Sequence, residues 1–251
     1  MANKTLVISD VHGNREALQA VLEQEPLFDD LVFLGDAASP GPQPSATIGL
    51  LKTLPGIHIC GNHDLELLDP SLTDNWPVPW KALNDWDRKS LSSEDFEYLK
   101  NLEPDGSYSI GGRDLFLCHG NLLRHPRHVL PTSACEDFQA LGAQDDSDIV
   151  LFGHSHVQFA QRIGTQLFAN PGSVGQNRCG KPVACYGVLE NGEFYHRHVE
   201  YDTSPLLDAI YSIDELNEFP NFRDWFAESL TSGFGLGKTK PWTDLAAEGY
   251  M

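Results

Sequence analysis

Basic charge is scarce in this 251-residue chain, where 17 Lys and Arg stand against 36 Asp and Glu for a formal net charge of -19. Phosphate backbones and anionic membranes demand basic surface, so neither nucleic acid nor a membrane is expected as a partner. A small phosphorylated substrate stays open, because bound cations invert the field locally. Cysteine is sparse too. The five residues form no C-x-x-C pair, their number is odd, and Cys60 and Cys118 fall inside apolar runs, which reads as reduced, buried, small side chains rather than a disulfide framework. No apolar run approaches the roughly 18 residues of a membrane span, and residues 1–5 lead into an apolar strand without a signal-peptide core. The expected compartment is the cytoplasm. A Ser-His-Asp order, a G-x-S-x-G elbow, H-E-x-x-H and G-x-G-x-x-G are all missing. Residues 233–239 look like a nucleotide loop, but Ser232 stands where a P-loop needs glycine, and a helix is expected before it in place of a strand.

What is present is one event repeated five times. Leu6-Val7-Ile8-Ser9 ends in Asp10 and His12; Leu31-Val32-Phe33-Leu34 ends in Gly35-Asp36; Ile57-His58-Ile59-Cys60 ends in Gly61-Asn62-His63-Asp64. Leu115-Phe116-Leu117-Cys118 runs into His119-Gly120, and Ile149-Val150-Leu151-Phe152 into Gly153-His154-Ser155-His156. Apolar runs without polar alternation suit strands covered on both faces, and the loops beyond their C-terminal ends are where α/β proteins place their sites. Every junction but the first has a glycine beside the ligand-type residue, as a sharp turn or close approach to an ion requires.

The order of elements is β-α-β-α-β at first, with helices expected over residues 15–25 and up to about Leu54, which implies a parallel sheet. Residues 65–103 read as a helical, aromatic-rich insertion between two site-bearing strands, with Ser92-Ser93-Glu94 as a helix start. From Gly106 on, short strands joined by turns at Asn170-Pro171-Gly172 and Asn191-Gly192 indicate a second, partly antiparallel sheet. His196 and His198 alternate in its last strand and read as a solvated face. The tail past Asp202 is helical, and residues 233–251 are expected as a flexible C-terminal segment following one domain over residues 1–232.

Asp10, His12, Asp36, Asn62, His119, His154 and His156 make seven candidate ligands, too many for one tetrahedral ion. Carboxylate, amide and imidazole together suit two divalent ions sharing a carboxylate, with Mn first, then Fe or Zn, ahead of Ca or Mg. Two such ions roughly 3.5–4 Å apart activate a bridging hydroxide and clamp an in-line displacement at phosphorus.

The set D-x-H, G-D, G-N-H-D, H-G and G-H-S-H resembles the full motif set of the calcineurin-like metallophosphoesterases. Residues 170–175 and Tyr201-Asp202 further resemble the small prokaryotic branch, and the likeness runs from about Thr5 to the vicinity of Gly233. It implies a four-layer α/β/β/α sandwich with two mixed sheets and the metals at the edge where they meet. It also implies Asp10, His12, Asp36 and His156 around one ion, Asn62, His119 and His154 around the other, and Asp36 as the bridge. His63 would then be the proton donor to the leaving group, steadied by Asp64.

The eukaryotic-type protein phosphatases of that superfamily carry G-D-x-x-D-R-G and G-N-H-E, and this chain has neither, which argues against a phosphoprotein substrate. Candidate substrate contacts are Asn14, Arg124, His125, Arg127 and His128. With no arginine in the motif loops, phosphodiesters are expected to be hydrolysed at least as well as monoesters. A non-catalytic scaffold on the same fold is the rival reading; His63 and all seven ligand positions are retained, which speaks against it. Oligomeric state is not legible.

Overall fold

A computed structural model describes residues 4–120, 128–142 and 147–251. The chain begins with β1 (Lys4–Ile8), α1 (Arg15–Gln24), β2 (Asp30–Phe33), α2 (Pro44–Leu51) and β3 (Ile57–His58). The insertion supplies α3 (Asn62–Leu68), α4 (Val78–Ser90) and α5 (Ser93–Lys100). Then come β4 (Gly106–Ile110), β5 (Arg113–Cys118), α6 (Cys135–Gln139), β6 (Ile149–Phe152), β7 (Gln158–Ile163), β8 (Gln166–Pro171), β9 (Val183–Glu190) and β10 (Glu193–Glu200). The last elements are α7 (Ser204–Tyr211), α8 (Pro220–Thr231) and α9 (Trp242–Ala247).

These strands form two mixed five-stranded sheets, ordered β10-β9-β1-β2-β3 and β4-β5-β6-β8-β7. Successive residues of β1 explain the layering. Leu6 and Ile8 face helices α1 and α2 in one core, while Val7 faces the other sheet in a second core with Val32, Leu34, Leu115, Leu117 and Leu151. Both faces are covered, hence the unbroken apolar run; each such side chain contributes about 1.5–3 kcal/mol on burial. The outer face of the second sheet packs Phe116, Phe138, Phe152 and Phe168 with Leu245 of α9. The four expected layers, α/β/β/α, are therefore present.

Four expectations about the fold are corrected. The hairpin of β9 and β10, which turns at Asn191-Gly192, joins the first sheet through antiparallel pairing of β9 with β1 and is no part of the second. Residues 233–251 are packed against the domain: Leu245 is buried, the Trp242 indole donates to Ser155 O, and Gly235 donates its N–H to Asn177 O. Apolar contact and backbone pairing hold this segment in place of the expected flexible tail. His196 is half-buried, with Nε2 3.0 Å from Asn170 O, whereas His198 is solvated as expected. Cys135 is exposed and Cys60 half-buried, against the expected burial that Cys118, Cys179 and Cys185 do show, and all five cysteines are free. Among the described residues, no helix is long and apolar enough to cross a membrane.

Candidate metal centre

The parallel strands β1, β2 and β3 of one sheet and β5, β6 and β8 of the other end at a shared edge, and their loops converge there. The backbone records how sharply they turn. Asp10, His12, Asp36, His154 and His156 all take positive φ, between 47° and 67°. Such residues cost of order 1–3 kcal/mol each and persist only where the surrounding structure over-determines them, most often at active sites. The remaining non-glycine case among the described residues, Asn191, sits in a hairpin turn that favours it. Glycine is required beside these positions for lack of space. A Cβ on Gly61 would stand 2.2 Å from Asp36 Oδ1, and one on Gly153 2.1 Å from Ser9 Oγ.

Two groups of ligand atoms result, Asp10/His12/His156 and Asp36/His119/His154, each with its atoms within 4.8 Å of one another. They touch. Asp36 Oδ2 lies 3.1 Å from His119 Nε2 and 3.8 Å from His12 Nε2, and Asp10 Oδ1 lies 3.3 Å from His156 Nε2 and 4.0 Å from His119 Nε2. Imidazole orientation is set from outside: the Nδ1–H groups of His12, His156 and His119 donate to Ser39 O, Gln176 O and Leu34 O. Their Nε2 atoms therefore turn lone pairs inward, and those of His12 and His156 face each other at 3.2 Å. Asn62 Oδ1, Asp10 Oδ1, His119 Nε2 and His154 Nε2 are buried without a hydrogen-bond partner. Converging acceptors at such distances repel unless a cation lies among them. The donor set thus fits divalent metal.

The electrostatics agree. Burial opposes the charged form of Asp36, yet His119 and His63 hold its carboxyl well below the usual range; Asp10 is likewise lowered, by His156 and His119. Burial also opposes a charge on His119, but Asp36 and Asp10 overcome it and raise that imidazole to about 10. A potential that retains a proton there favours a metal ion in its place. His12 is pushed down to about 3 by burial.

The resemblance had His63 steadied by Asp64, and the structure corrects this. The Asp64 carboxylate accepts the backbone N–H groups of Asp36, Ala37 and Gly61, so it shapes the metal loop from beneath. Burial and neighbouring Asp36 raise its pKa to about 6 despite those bonds. The partner of His63 is Glu66, whose Oε2 lies 2.5 Å from Nδ1; one turn along α3, it was legible as an i,i+3 neighbour. Burial disfavours the His63 cation, but Asp36 and Glu66 outweigh it and raise its pKa.

Asn14 is corrected as well. It caps α1 by accepting from Ala17 N–H and donates to Gly175 O and Tyr201 Oη, which leaves its buried amide nothing for substrate. Arg124, His125 and Arg127 lie outside the described residues. His128 stacks on His154 at 4.6 Å, with Nδ1 3.1 Å from its carbonyl oxygen, and braces that imidazole. A buried cation near the cluster that no sequence signal marked is Arg178. Only 6 % exposed, its guanidinium lies 4.0 Å over the Trp242 ring with Nε unpartnered, close enough for its charge to act on His156, His128 and Asp10. Burial pulls it down to about 9. No apolar-to-Gly junction marks it, so no local signal was available.

A fold of two mixed sheets with a cation-seeking cluster of carboxylates and imidazoles at their common edge defines a metal-centre protein of the α/β class. Residues 4–192 match the calcineurin-like phosphoesterase superfamily domain, and the chain belongs to that family. It is 27 % identical over 249 residues to the uncharacterized protein MJ0912 of Methanocaldococcus jannaschii, covering 90 % of this chain and 97 % of that one. It is 26 % identical to phosphodiesterase YfcE of Escherichia coli K12 over 75 % of this chain and 88 % of that one. Among solved structures, a metallophosphoesterase from Sphaerobacter thermophilus superposes with a TM-score of 0.70 at 27 % identity, covering 93 % of this chain and 100 % of that one. Protein PH1004 from Pyrococcus horikoshii gives 0.78 at 22 % identity over 94 % and 99 %, a likeness of fold.

Proposed function

We propose that the protein is a dinuclear-metal phosphoesterase, and that the observation carrying this reading is the inward convergence of unpartnered acceptors from two adjoining triads. Asp10, His12 and His156 would hold one ion, His119, His154 and Asn62 the other, with Asp36 between them. When bound, two divalent ions, Mn first and Fe or Zn next, would acidify water between them and neutralise phosphoryl oxygens during an in-line displacement. The chain's own groups do the rest. Asp64 holds the Asp36 loop through three N–H bonds, and the carbonyls of Ser39, Leu34 and Gln176 fix the three imidazoles. His63, whose pKa Asp36 and Glu66 raise against burial, donates its proton to the departing oxygen.

Arg178 gives the site one buried guanidinium without a carboxylate partner among the described residues, and we assign it to a non-bridging phosphate oxygen. One such cation suits the single charge of a diester, so phosphodiesters should be cleaved at least as well as monoesters; similarity to phosphodiesterase YfcE supports this. The substrate would be a small phosphorylated molecule, with nucleic acid and membranes disfavoured by the net charge of -19 and the cytoplasm as the place of action. The test strips the protein of metal, reconstitutes it with Mn, Fe, Zn or Mg, and assays bis-p-nitrophenyl phosphate against p-nitrophenyl phosphate. Hydrolysis of neither ester with any metal contradicts the reading. Arg178→Ala should raise KM for the diester about tenfold, as loss of a hydrogen bond to a charged group implies.

A further inference from the structure

Beside His63 lies an apolar cavity of about 260 Å³, lined among the described residues by Pro40, His63, Trp76, Pro77, Trp80 and Leu236. Three separate parts of the chain build it: the loop after β2, the helical insertion, and the C-terminal segment once resembling a nucleotide loop. The Trp76 ring stands edge-on to His63, centroids 5.8 Å apart. Trp80 is braced from behind by Phe222, Trp225 and Phe226, at 4.9, 5.7 and 5.8 Å. Apart from His63 the lining carries no charge. That suits a flat, neutral group and offers nothing to an anionic one, in a chain already at -19.

Whole small-molecule ligands fill pockets of about 300–1,000 Å³, so this cavity takes a fragment of a substrate rather than all of it. Which fragment follows from His63. A proton donor must come within hydrogen-bond reach of the oxygen it protonates, so the bond to that oxygen is broken at the cavity wall and the departing group extends inward. We propose that this cavity is a leaving-group subsite selecting phosphoesters whose leaving group is a neutral planar aromatic ring, stacked against Trp76 and Trp80 and in contact with Leu236. The proposal rests on the phosphoesterase reading above.

Binding of phenylphosphonate and methylphosphonate to Mn-loaded full-length protein tests it by calorimetry, since neither C–P bond is hydrolysed and affinity is read without turnover. Aromatic stacking predicts that the phenyl compound binds about tenfold tighter. Trp76→Ala in the insertion and Leu236→Ala in the C-terminal segment should each bring the ratio of the two affinities towards one, and Trp76→Phe should restore most of it; the pair guards against one variant misfolding. Equal affinity in the unmodified protein, or a phenyl advantage surviving in both alanine variants, overturns the subsite while leaving the phosphoesterase reading in place. Binding of neither phosphonate, together with no hydrolysis of either p-nitrophenyl ester, overturns both.

Discussion

The two triads differ in how firmly the fold holds them. Asp10, His12 and His156 are almost fully excluded from solvent, and both imidazoles are anchored to carbonyls by Nδ1. In the other, His119 is anchored in the same way, but half-buried His154 leans on His128 by stacking, and Asn62 stands at the first position of a seven-residue helix. A closed set of ligands makes a structural site, whereas a catalytic one needs an open position. The looser triad is therefore where substrate should enter, and Asp36, which belongs to it and also lies 3.8 Å from His12 Nε2, ties their behaviour together.

Breaking that tie has the largest expected effect. Asp36→Asn should cut turnover by about 10³-fold or more, because it removes several kcal/mol of charge stabilisation common to both halves. Steady-state assays with bis-p-nitrophenyl phosphate check this, and near-normal activity would show that the halves act independently. Next is His63→Ala, which should cost about 10²–10⁴-fold in kcat with metal content unchanged. The loss should shrink for p-nitrophenyl esters relative to alkyl esters, whose leaving groups need the proton more. Glu66→Gln should follow His63→Ala in this leaving-group dependence; Asp64→Asn should instead lower Tm, since it supports backbone.

A milder change sharpens the contrast between triads. His128→Ala removes the stack beneath His154 and should weaken one of the two bound ions about 10–100-fold while sparing the other, which competitive chelator titration resolves. Equal weakening of both ions would show that the two triads are held alike.

The smallest effect lies outside the centre and serves as its control. Asp95 caps α5 with Ser92 and binds Lys52 and Ser45; burial opposes its charge, but those donors bring it down from 3.8 to about 2. Asp95→Asn should cost about 1 kcal/mol, or roughly 2–4 °C in Tm, at neutral pH. A depressed carboxyl stabilises the fold above its unfolded pKa and stops doing so as pH falls through the folded one. The difference between variant and parent should thus narrow between about pH 4 and pH 2 in thermal melts.

Much of the cluster was legible because its seven candidate ligands follow five apolar runs, so a one-dimensional pattern recorded a three-dimensional convergence. The helical start at Ser92 was legible for the same local reason. What escaped depends on contacts between distant segments. Arg178 is brought to the site by its burial against Trp242, 64 positions onward, and nothing near either residue announces the other. Whether β9 pairs with β1 or extends the second sheet is likewise decided by tertiary packing, as the hairpin at Asn191-Gly192 fits both. Asp64 misled because adjacency along the chain put it next to His63, whereas on a helix the side chain three positions on is the neighbour.

The proposed centre requires two ions sharing Asp36. Elemental analysis of protein loaded with Mn and freed of excess metal measures this directly, with Asp36→Asn treated in parallel. Two ions per chain in the parent and at most one in the variant are expected; saturation of the parent at a single ion would contradict the dinuclear centre.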